Sequence, residues 1–64
     1  MHIDEDKVYS VEDASKFFGV TSKTLRNWEE SGFFRPFMRT SGNHRRYLGI
    51  EIMKKIEEMR NNNE

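Results

Sequence analysis

Residues 10–32, SVEDASKFFGVTSKTLRNWEESG, hold two helix signals with almost nothing between them. Ser10 can cap the first, Asp13 stands three residues on in a capping-box arrangement, and Tyr9 can staple onto Ala14. Val11, Ala14, Phe17 and Phe18 recur at helical spacing, and Gly19 supplies the positive φ that ends the run. Thr21 is the next N-cap, Leu25 and Trp28 form an inward stripe, and Gly32 stops the second helix. Only Gly19 and Val20 separate the first helix from that second cap. Helices joined so tightly cannot lie side by side and antiparallel. They cross steeply, with Val20 plugged inward, as a helix-turn-helix.

Beyond Gly32 the chain leaves the helical pattern. FFRPFMRT contains Pro36, which excludes a helix and suits an edge strand. The turn SGN, in which Asn43 tolerates a left-handed backbone, leads into HRRYL and so predicts a β-hairpin. IEIMKKIEEMRN then predicts a third helix with Ile52, Ile56 and Met59 on one stripe and Ile50 and Met53 on its flank. The expected fold is mainly α with a small β-hairpin wing, a winged helix-turn-helix over residues 8–59. Residues 1–7 are expected to be a flexible N-terminal tail, and residues 60–64 a polar tail and possible truncation point.

At 64 residues this is one small domain. A chain of this size buries only about 60% of the surface its unfolded form exposes, so its stability is a few kcal/mol. Apolar residues make up 34% of it, but five Phe, two Tyr and one Trp supply large buried areas. Phe17 and Phe33 are expected in that core, ahead of a base-stacking role; Phe37, beside Pro36, is the least determined. Trp28 is expected to be structural and the most sensitive point of the fold. No cysteine is present, and His2 and His44 have no ligand spacing, so neither a metal nor a cofactor is expected. No apolar run approaches the roughly 18 residues of a membrane span, and the acidic MHIDEDK is unlike a signal peptide. There is no catalytic constellation either: Asp4, Glu5 and Asp6 cluster without a pocket, so no catalytic role is expected of the chain by itself.

Charge is balanced in total, 11 bases against 11 acids, but polarised along the chain. Residues 1–15 carry five acids against one base, whereas residues 20–47 carry six bases against two acids. A domain with one basic side has the footprint of a phosphate binder. Ser22, Lys23, Arg26 and Asn27 fall on the second helix opposite Leu25 and Trp28, and these are side-chain types that reach base edges in a major groove. Glu29 and Glu30 disfavour phosphate, so the end of that helix should swing away from the backbone. On the hairpin, strand alternation puts Arg45 and Tyr47 on one face and Arg46 on the other, with Arg39 joining one set according to register. Arginine forks on a stiff hairpin suit phosphate, and the Tyr47 hydroxyl can donate to it or lie incidentally in the core. Arg46 can alternatively pair with an acid. His44 has no separable role by sequence.

YSVEDASKFFGVTSKTLRNWEESGFFRP followed by RTSGNHRRYLGIEI resembles the N-terminal DNA-binding domain of MerR-family regulators over about residues 8–59. The resemblance implies a winged helix-turn-helix that binds double-stranded DNA as a dimer. It places Ser22, Lys23, Thr24 and Arg26 at recognition-helix contacts, and Arg39, Arg45 and Tyr47 on phosphate in the wing. His44 stands where Tyr is frequent and Asn43 where Gly is usual, while Leu48-Gly49 replaces polar residues at the start of the third helix. The wing is also similar to those of excisionase-like factors and of the DNA-targeting domains of insertion-sequence serine recombinases. A cytoplasmic, nucleoid-associated transcription regulator is therefore expected, self-associating on DNA or through sequence not present here. The alternatives are a recombinase or transposase targeting domain, an excisionase-like factor, or a winged protein-interaction module.

Overall fold

Both anticipated helix starts are built from a hydroxyl in the computed structural model, which describes residues 2–61. Ser10 Oγ accepts from the Asp13 N–H at 3.2 Å to open α1 (Val11–Phe18), and Thr21 Oγ1 accepts from the Thr24 N–H at 3.2 Å to open α2 (Ser22–Ser31). Each satisfies one backbone donor that a helix N-terminus leaves without a partner. Gly19 (φ 75°) and Gly32 (φ 84°) close the two helices in the left-handed region. Val20, between the helices, packs against the core as its place in the turn requires.

The sheet is larger than the sequence announces. Besides the hairpin strands β2 (Met38–Arg39) and β3 (Arg45–Leu48), an additional strand β1 (Val8–Ser10) precedes the first helix. It pairs antiparallel with β3: Val8 with Leu48, Tyr9 with Tyr47, Ser10 with Arg46. The order is β1-β3-β2, so β3 is the central strand and the Pro36-led β2 lies at the edge. Three residues ending in a helix cap give no period to read, and their partner is remote in sequence. Asn43 adopts φ 66° in the hairpin turn, as its residue type allows.

Residues 3–7 are not the loose tail expected. Ile3 packs against the core, and the Asp4 N–H donates to the Tyr9 hydroxyl at 2.8 Å. The Lys7 carbonyl accepts from the Gly49 N–H at 2.9 Å, at the first residue of α3 (Gly49–Asn61). This backbone bond serves the helix start whose sequence offers no capping side chain. Arg60 and Asn61, expected in a polar tail, belong to α3; residues 62–64 and Met1 lie outside the described residues.

Ala14, Leu25, Tyr47 and Ile52 are fully buried and Phe34 nearly so, one from each of α1, α2, β3, α3 and the loop after α2. Aromatic rings link them. Phe33, Trp28, Phe18 and Phe34 meet edge-on in sequence at 5.0–5.2 Å, and Phe34 stacks on Tyr47 at 5.5 Å. One expectation changes with this packing. Phe33 is not core: it is 43% exposed, its ring beneath the Lys55 ammonium, and Phe34 takes the inward place. Trp28 is half-buried at the margin of the cluster, while Leu25 and Tyr47 hold the centre.

Gly49 is the position where glycine is sterically required. A Cβ there would sit far inside van der Waals contact with the Asp4 carbonyl oxygen and 3.2 Å from the Tyr9 ring. Gly49→Ala should lower stability by about 1–3 kcal/mol, much of the total for so small a domain. Thermal unfolding followed by circular dichroism checks this; an unchanged midpoint would mean that residues 3–7 do not dock on α3.

Candidate nucleic-acid interface

With Leu25 turned into the core, α2 presents Lys23, Arg26 and Asn27 to solvent, and Ser22 and Thr24 half-exposed at its first turn. Ser22, Lys23, Arg26 and Asn27 are the residues that helical spacing places on its outer face; Thr24 is added by the resemblance alone. Thr24 is partly committed elsewhere, since its hydroxyl lies 3.0 Å from that of Thr21 in the cap.

The wing stands beside this face. A cleft of about 360 Å³ runs between them, lined by Ser22 and Arg26 of α2, Asn43, His44, Arg45 and Arg46 of the hairpin, and Ser10, Val11 and Glu12 at the start of α1. Three arginines and a histidine thus line it together with one acidic residue. Arg46 is steadied by an Nη1–H bond to the Arg45 carbonyl at 3.0 Å, with no acid as partner among the described residues. His44 is exposed, its backbone N–H donating to Thr40 Oγ1 at 3.3 Å. Lys23, Asn27 and Arg39 lie outside the cleft lining.

The β2–β3 register settles which set Arg39 joins: it stands opposite Arg45. Both guanidiniums bind the Glu29 carboxylate, Arg39 through Nη2 on Oε2 and Arg45 through Nε on Oε1. By sequence, Glu29 is only a deterrent to phosphate. Its role as the tie between α2 and the wing depends on a register that the hairpin sequence does not state. Hydrogen bonds from Arg45 and then Arg39 hold the Glu29 carboxyl below the ordinary carboxylate range, outweighing the opposing effect of burial.

Tyr47 requires a correction. The resemblance puts it on phosphate, but the side chain is wholly buried and its hydroxyl has no hydrogen-bond partner among the described residues. The ring stacks on Phe34, so the alternation that groups it with Arg45 points both toward α2, where Tyr47 sinks into the core. Burial raises its pKa, with the Glu29 charge adding to the rise and the nearby arginines opposing it.

A family model described as "MerR family regulatory protein" matches residues 10–47. The chain belongs to the MerR family. The match runs from the α1 cap to Tyr47, covering the helix-turn-helix and the wing that form the cleft. This MerR-type domain is accordingly a DNA-binding regulatory domain of winged helix-turn-helix fold. Comparison with curated proteins and with solved structures returned no match. No helix among the described residues is long and apolar enough to cross a membrane.

Two consequences can be measured. A carboxyl whose folded pKa is depressed stabilises the fold fully above its unfolded value, near 4.5, and loses that contribution as pH falls through the folded value. Glu29→Gln should therefore flatten part of the decline in melting temperature below about pH 5; an identical acid limb in both proteins would contradict the ion pair. Tyr47→Phe keeps the stacked ring and removes a buried hydroxyl whose unpaired state costs about 1–3 kcal/mol. It should melt at the same or a higher temperature and bind DNA undiminished. Lost DNA affinity in a stable Tyr47→Phe protein would return the hydroxyl to the interface.

Proposed function

We propose that this MerR-family domain is a sequence-specific binder of double-stranded DNA within a transcription regulator. In this reading α2 enters the major groove, where Arg26, Lys23 and Asn27 reach base edges and Ser22 and Thr24 serve the adjacent backbone. The β2–β3 wing tracks the phosphates with Arg45, Arg46 and His44. The observation that carries the reading is the cleft that Arg26 of α2 and Arg45, Arg46 and His44 of the wing line together. Its one acid, Glu12, lies in the first turn of α1. Phosphate needs cations held on a rigid support, and a base-reading helix needs its flank fixed against the backbone. A cytoplasmic, nucleoid-associated site of action accords with that role.

Binding to duplex DNA should weaken steeply with salt. About three phosphates neutralised give a slope of log K against log salt near −3, measurable by fluorescence anisotropy between about 50 and about 200 mM. A flat response would refute phosphate binding and favour a protein-interaction role for the fold. Arg26→Ala should lose discrimination at particular base pairs by about 1–3 kcal/mol while leaving thermal unfolding nearly unchanged. Equal losses on cognate and random duplexes would take Arg26 off the bases.

A further inference from the structure

The two arginines on Glu29 are not held alike. Arg39 is engaged at both terminal nitrogens: Nη2 on Glu29 and Nη1 on the Asn43 side-chain oxygen at 3.1 Å. It stands outside the cleft and bridges α2 to the hairpin turn. Arg45 is engaged through Nε, while its Nη1 and Nη2 have no partner among the described residues. Arg45 also lines the cleft, beside Arg46 and His44 and across from Arg26. A guanidinium offers two donor edges, and fixing it by Nε leaves a pair of terminal donors for a second acceptor.

We propose that Glu29 is a positioning residue that sorts the wing arginines, making Arg39 a structural strut and Arg45 the phosphate donor. The assignment rests on the DNA-binding reading above and adds a division of labour to it. One carboxylate offsets one of the two guanidinium charges, so the pair presents a single net positive charge beside the cleft. Its placement matters more than its amount, because a long side chain fixed beforehand loses less freedom when it meets phosphate. The Glu29 and Arg45 side chains are 21% and 23% exposed, a setting less screened than the open surface. Glu30, next in sequence, is exposed and its carboxylate has no hydrogen-bond or ion-pair partner among the described residues, so it provides an internal control.

The test is duplex-DNA affinity across a salt series for four variants of the full chain, each first checked for fold by circular dichroism. Arg45→Gln should reduce the salt slope by roughly one, whereas Arg39→Gln should leave it unchanged, although both remove one positive charge. Glu29→Gln and Glu30→Gln each remove one negative charge, so a purely electrostatic effect would tighten both. Positioning predicts opposite signs: Glu30→Gln tightens binding, and Glu29→Gln weakens it by roughly fivefold because Arg45 is released. Equal slope losses for Arg39→Gln and Arg45→Gln, or tightening by both glutamine replacements of the acids, would overturn the assignment. The two arginine slopes decide the matter even where Glu29→Gln loses its fold. A native chain without salt-dependent binding would overturn the DNA reading itself and this assignment with it; a normal native slope with indistinguishable arginine variants would overturn the assignment alone.

Discussion

Burial of Tyr47 on the central strand is the contact on which the arrangement depends. Its ring lies between the sheet and Phe34, and its strand is hydrogen-bonded on one side to β1 and on the other to β2. Through Phe34 it is connected by rings to Phe18 of α1 and Trp28 of α2. A domain with so few apolar residues cannot keep a wing rigid by β-pairing alone, because an isolated hairpin is marginal in water. In this fold the wing is one edge of a three-stranded sheet anchored by a fully buried aromatic residue. The stiffness that the proposed phosphate-tracking role asks of the wing thus originates in the core.

Most of the local structure is legible in the sequence because each piece has a short-range cause. Ser10 and Thr21 cap, Gly19 and Gly32 terminate, and Asn43 turns, each through its own side chain or its own φ. Elements fixed by remote partners are not legible. β1 exists because β3 offers an edge, and residues 3–7 dock because Gly49 lets the Asp4 carbonyl approach. Phe33 and Phe34 are adjacent and chemically identical, so only the path of the chain after Gly32 decides which one is buried. The same holds at the interface. Helical geometry exposes the outer face of α2 in advance, whereas the fates of Arg39, Arg45 and Tyr47 depend on hairpin register and on Glu29 across the gap.

Neutral total charge conceals a directional surface. The Glu29 carboxylate, which by sequence weighs against nucleic acid, is absorbed by the wing arginines, leaving Arg26, Arg45 and Arg46 around the cleft. Asp4, among the acids of the N-terminal segment, does not line the cleft: its backbone N–H donates to the Tyr9 hydroxyl and its carbonyl lies close against Gly49. In this MerR-family domain α2 and the wing are thereby joined by an ion pair and a shared core, so in the proposed binding mode they would meet DNA as one surface.

Amide chemical shifts during titration with duplex DNA test that claim most directly. The largest changes should map to Ser22, Arg26, His44, Arg45 and Arg46 around the cleft. The exposed apolar residues Val8, Phe33, Phe37 and Met38 should stay close to their free positions. Changes centred on Phe33, Phe37 and Met38, with the cleft residues undisturbed, would contradict it.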